Sequence, residues 1–170
     1  GKQGILFTSA KPENAAVGGQ PYVVTATGGA SGRPVEYTID AVATSFCSIS
    51  GSTVSFIGAG PCTVDANQQG NADFEPAPRK QLTFPVGKGS QTIAFTSTAP
   101  AAAVVGGAPY DAAATASSGG AVALSIDPAS AAVCSISGAA VSFIGAGTCT
   151  VDANQGGTAN YNAAPQVQQS

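Results

Sequence analysis

Short runs of alternating apolar and polar residues, separated by Gly- and Pro-containing breaks, run through the whole chain. Ile5 and Phe7 alternate with Leu6 and Thr8, and Tyr22 and Val24 with Val23 and Thr25. Val35, Tyr37 and Ile39 oppose Glu36, Thr38 and Asp40, a pattern that returns as Val122, Leu124 and Ile126 against Ala123, Ser125 and Asp127. Side chains of a strand point alternately to opposite faces, so this pattern predicts half-buried antiparallel strands. Cys47, Ile49, Val54 and Phe56 share one face of a hairpin that turns at Gly51, and Gly58-Ala59-Gly60-Pro61 then breaks the chain before Cys62, Val64 and Ala66. A last strand falls near Lys80 to Val86, with Leu82 and Phe84 turned inward. No segment has the period of an amphipathic helix. Six or seven such strands in under 90 residues predict a β-sandwich.

The pattern occurs twice. Residues 47–68 and 134–155 are identical at nineteen of 22 positions, at an offset of 87 residues from Cys47 to Cys134. Upstream, Phe7 matches Phe95, Pro12 matches Pro100, Gly18-Gly19 matches Gly106-Gly107, and Pro21-Tyr22 matches Pro109-Tyr110, at an offset of 88. One residue has therefore been lost in the Gly-rich stretch near Gly28 to Gly32 or its counterpart, where a turn absorbs it. The repeat divides the chain into domains at 1–88 and 89–170, joined through Val86-Gly87-Lys88-Gly89-Ser90. So short a linker predicts an end-to-end arrangement with limited bending. Aligning Pro78 with Pro165 sets Gln169-Ser170 against Leu82-Thr83, so the second copy has no counterpart of Phe84, Pro85 and Val86. Its final strand is expected to be truncated, either because the fragment was cut there or because another chain completes the sheet.

Composition narrows the function classes. Charged residues make up 9% of the chain and the net charge is −3, which leaves no basic patch for nucleic acid or for an anionic membrane. The longest apolar run, Ala99 to Ala108, is interrupted by Pro100, Gly106 and Gly107 and is too short to span a bilayer. No signal peptide is visible at Gly1, as expected of a mature or excised fragment. The hydrophobic content of 44% argues against a disordered linker.

The four cysteines fall two per copy at matching positions, which argues for the pairs Cys47–Cys62 and Cys134–Cys149; pairing across the copies would make the repeat irregular. In the chain-entropy picture a bridge closing a loop of about 15 residues is worth roughly 3 kcal/mol. Such bridges persist in oxidising compartments, which predicts a secreted, periplasmic or surface location. The spacing is not C-x-x-C and the chain has no histidine, so neither a redox motif nor a zinc set is expected.

Other candidate chemistry is sparse. Asp65 with Asn67, and Asp152 with Asn154, offer the oxygens that calcium takes, but two ligands fall well short of the about six to eight it needs. These side chains are expected on the solvated face or bonded to the loop that follows. Asp40 and Asp127 are expected to cap turns. Glu13, Asp73 and Glu75 have no acidic counterparts in the second copy, and no rigid motif pairs them. Gly18-Gly19 and Gly106-Gly107 precede strands, which excludes a phosphate-binding loop. Phe74 and Tyr161 hold equivalent places before the last strand, where a core plug is expected over a sugar platform. No catalytic residue, cofactor or metal site is expected.

The order of motifs resembles bacterial Ig-like tandem repeats of large cell-surface and secreted proteins. The resemblance rests on Gln91 to Ser97, Val105 to Tyr110, Ser142 to Val151, and a closing Q-x-G-x-A-x-[FY]-x-x-A-P passage that ends at Pro78 and at Pro165. It covers nearly the whole chain. It implies an all-β chain of two tandem immunoglobulin-like β-sandwich domains, serving as a spacer or adhesive unit outside the cell or on a bacterial surface. The partners it implies are neighbouring repeats or subunits of the same protein, with a surface protein or a glycan as further ligands. Three functions fit: a non-catalytic stalk or adhesion module, a filament subunit assembled by strand complementation, and a carbohydrate-binding module of a secreted hydrolase.

Overall fold

The β-branched and aromatic runs become strands, and the Gly and Pro positions between them become turns. A computed structural model describes all residues, Gly1–Ser170, and falls into two units, Gly1–Gly89 and Ser90–Ser170. Each is an immunoglobulin-like β-sandwich with one internal disulfide.

In the first unit the strands are β1 (Leu6–Phe7), β2 (Tyr22–Val23), β3 (Ala26–Thr27), β4 (Val35–Ile39), β5 (Cys47–Ser50), β6 (Thr53–Phe56), β7 (Gly60–Gln68) and β8 (Lys80–Val86). One sheet has the order β4-β7-β8 and the other β2-β6-β5, with β1 paired to β3. Every one of these ladders is antiparallel. Because β2 and β3 lie on one bent run, the two sheets reproduce the A-B-E-D and C-F-G orders of the immunoglobulin plan. A parallel bridge from Ala16 to Gly87 ties the segment before β2 to the end of β8.

Local chemistry explains the turns. Gly51 opens the two-residue loop between Ser50 and Thr53 with φ +59°, the backbone that the first position of a type II′ hairpin requires. Asp40 closes β4 by accepting the Val42 N–H at 3.1 Å, which starts a single 3₁₀ turn over Ala41–Ala43. Gly60, expected to break the chain, instead begins β7. The Phe46 ring lies where a Cβ at Gly60 would stand, so the strand continues there only because this residue has no side chain.

The core of the first unit is built mostly from small residues. Val24, Val54, Val64, Ala43, Ala66 and Cys62 are fully buried, and the large apolar groups among them are few. Phe84 supplies much of the volume. Its ring meets Tyr22 edge-on at 5.5 Å and Phe56 at 6.0 Å, the offset geometry that aromatic pairs prefer.

The second unit repeats the plan with β9 (Ile93–Phe95), β10 (Tyr110–Asp111), β11 (Ala114–Ala116), β12 (Ala123–Ile126), β13 (Cys134–Ser137), β14 (Ala140–Phe143), β15 (Val151–Asn154) and β16 (Val167–Gln169). The sheets are β10-β14-β13, β9-β11 and β12-β15-β16. Register is preserved: Val64 faces Leu82 in the first unit, and Val151 faces Gln169 in the second. The difference lies at the final strand. Where β7 has nine residues and β8 seven, β15 has four and β16 three.

Replacing Phe84 with Ala removes the ring that closes the first unit. The expected loss is about 3–5 kcal/mol, confined to that unit. Denaturant titration followed by residue-resolved NMR checks it: the midpoint of residues 1–89 falls while that of residues 90–170 stays in place.

Candidate functional site

Cys47 begins β5 in one sheet and Cys62 lies within β7 of the other, both on the inward parity. The bridge between them therefore crosses the sandwich, with 5.7 Å between the Cα atoms. Cys134 and Cys149 do the same in the second unit, again at 5.7 Å. All four cysteines are paired within their own units. Cys47, Cys62 and Cys134 are buried at 1%, 0% and 1% exposure, but Cys149 is only half-buried.

The acidic pairs are arranged differently from expectation. Asp65 and Asp152 lie on the outer face of their sheets, as their parity requires, yet each is only 5% exposed. Neighbouring strands roof them with long side chains, whose stems cover surface while their polar heads bond the carboxylate. Gln81 Nε2 donates to Asp65 at 2.9 Å and to Asp40 at 3.0 Å, and Arg79 Nη1 donates to Asp65 at 3.0 Å. In the second unit Gln168 Nε2 donates to Asp152 at 2.8 Å and to Asp127 at 3.1 Å, while Gln166 stands at the position of Arg79. The partners are thus the adjacent strand, neither bulk water nor the following loop. Asn67 and Asn154 sit half-buried one pleat further on. No group of three or more His, Cys, Asp or Glu side chains converges. Glu13, Asp73 and Glu75 are exposed in loops.

Phe74 and Tyr161 are half-buried, so neither is a core plug. Their loops are shaped by side-chain acceptors instead. Asn71 Oδ1 takes the N–H groups of Asp73 and Phe74 at 2.9 Å each, and Thr158 Oγ1 takes those of Asn160 and Tyr161 at 3.1 Å each. This local bonding shapes the loop around each ring.

Buried glutamines were not foreseen by pattern reading. Gln68, 4% exposed, closes the end of β7 by accepting the Gly29 N–H at 2.7 Å and donating to the Arg33 carbonyl at 2.7 Å. Gln155, its counterpart, accepts the Gly157 N–H at 2.6 Å and is bonded by Gln91 Nε2, which also donates to the Asn162 carbonyl at 2.7 Å. Their recurrence at matched places in both copies was the available signal. No buried side-chain nitrogen or oxygen lacks a partner.

The second unit also carries a groove of about 390 Å³ beside its disulfide. Val104, Val105, Tyr110, Phe143, Cys149 and Val151 line it, and no charged side chain does. Its lining is mostly apolar, with Tyr110, Thr148, Gln169 and Ser170 as the polar side chains.

No family model matches this chain, and no curated protein matches it. Among solved structures, a two-repeat segment of human protocadherin-24 (EC1-2) is similar at 16% identity with a TM-score of 0.35, covering 92% of this chain and 88% of that one. A segment of mouse cadherin-23 (EC22-24) is similar at 14% identity with a TM-score of 0.37; the match covers 98% of this chain and 65% of that one. These likenesses assign no residue a role.

Gln68→Ala would remove the side chain that pairs the half-buried Gly29 N–H and the Arg33 C=O, at about 0.5–1.5 kcal/mol for each hydrogen bond lost. A drop in the unfolding midpoint of the first unit, with faster amide exchange at Gly29, is the expected result.

Proposed function

We propose that this chain is a non-catalytic structural segment of a bacterial surface or secreted protein, a tandem Ig-like stalk or adhesion module. The observation that carries this reading is that one sandwich plan occurs twice along the chain. Each unit has its own pair of sheets and its own inter-sheet disulfide, with matched strand orders in the two copies. Repetition of self-contained sandwiches builds length and resists extension without needing a reaction centre. Disulfides of this kind persist in oxidising compartments, which supports a secreted or surface location. No helix of the chain is long and apolar enough to cross a membrane.

The mechanical consequence is specific. Each bridge locks a loop with a sequence separation of 15 residues. Pulling the chain from its ends is expected to give two separate unfolding events. Reduction then lengthens each by roughly 5 nm, the span of the released residues at about 3.6 Å apiece. A single event for the whole chain, or no lengthening on reduction, would sink the stalk reading.

A further inference from the structure

We propose that the free edge of β12 in the second unit pairs with the same edge of a second copy of this chain, antiparallel and about a two-fold axis at Leu124. The order β12-β15-β16 leaves one side of β12 without a neighbouring strand. Asp127 donates its N–H to the Thr150 carbonyl at 3.0 Å, which phases the ladder. Ser125 and Ala123, two and four residues back, therefore turn their backbone groups to β15, and Leu124 and Ile126 turn theirs to the open edge. A row of N–H and C=O groups without a strand beside it is a template for another chain. β15 lies between this edge and β16, so the edge does not depend on the final strand.

The first unit shows how such an edge is blunted. Its β4 has the same place at the edge of β4-β7-β8, and it carries Glu36 on the exposed outer face, with Arg33 and Pro34 just before it. Charges and proline on an edge strand oppose pairing with another chain. In the second unit the matching positions are Ala123, Gly120 and Ala121. From Gly120 to Ile126 the edge has no charged residue and no proline. The two copies keep one fold and differ in what protects this strand.

Self-pairing fits the strand's geometry. With Leu124 of one copy opposite Leu124 of the other, Val122 faces Ile126 and Ala123 faces Ser125, so no like charges meet. The residues whose backbone groups bond across the axis are also those whose side chains turn inward. Val122, Leu124 and Ile126 are half-buried, as is Ile136 on the facing sheet, and all four pack at the margin of the core. Pairing lays the two sets side by side at the open flank of each sandwich and removes more of their surface from water. The same arrangement of β4 would set Glu36 diagonal to Glu36 of the second copy, within reach of repulsion. Each copy supplies the same patch, so the contact closes as a dimer. The inference rests on the edge strands and stands apart from the stalk reading.

Sedimentation equilibrium of the full chain, with amide exchange followed at rising concentration, tests this. The expected result is a dimer in which exchange at the Leu124 and Ile126 N–H groups slows about tenfold as concentration rises, while exchange at Tyr37 and Ile39 is unchanged. Ala123→Glu gives this edge the charge that β4 carries and should weaken dimerisation about tenfold, as should Ser125→Lys. Both side chains are exposed, so each variant is expected to keep its unfolding midpoint, which is the check that it is folded. An equimolar mixture of the two variants should recover the original affinity, because position 123 of one copy then faces position 125 of the other with opposite charge. A merely structural effect of either substitution gives no such rescue. The proposal is overturned if the chain stays monomeric at every concentration, if association protects Tyr37 and Ile39 as well, if it runs on to open-ended oligomers, or if the mixture associates as weakly as either variant alone.

Discussion

A sandwich built from valine, alanine and cystine has few deep contacts, so its closure depends on the ladder between β7 and β8. That ladder carries Leu82, Phe84 and Val86 inward and lays them over the seam where the two sheets meet. Phe84 touches the other sheet through Tyr22 and Phe56, which makes β8 the element that joins the layers as well as widening one of them. Small domains bury a modest fraction of their surface, and losing one large ring from such a core removes a large share of the packing.

The disulfide works on the same seam by a different means. Cys47 and Cys62 connect the outer strand β5 to the central strand β7, and the bridge limits how far these two segments can separate in the unfolded chain. In the second unit the bridge is retained while β16 is short, and the strand orders of both sheets are unchanged. Val104 and Val105 are exposed and Cys149 is half-buried there, so the bridge alone does not cover this end of the seam.

Much of this was legible in the sequence, for identifiable reasons. Alternation located β4 and β12 because one face of each is apolar, and Gly51 located the hairpin because few other residues take its backbone. Duplication made the cysteine pairs readable, since two copies of one spacing favour two copies of one bridge. Other features depend on neighbours that are remote in the chain. Asp65 reads as a solvated outer-face residue until Arg79 and Gln81 are placed over it by the β7–β8 register. Gln68 gains its role only when the Gly29 and Arg33 backbone groups are brought beside it. Gly60-Pro61 reads as a break, and becomes strand because Pro85 and Val86 lie opposite.

That last residue pair bears on how strands are specified. Gly60-Pro61 and Gly147-Thr148 differ in one residue, and the change to Thr148 should favour a strand, since threonine is a better strand former than proline. The outcome is the reverse: Gly60-Pro61 is in the ladder and Gly147-Thr148 is not. Local propensity therefore does not decide the conformation of this segment. In the first unit a partner strand lies alongside, with Phe84, Pro85 and Val86 facing Cys62, Pro61 and Gly60, so tertiary contact sets the conformation of this segment.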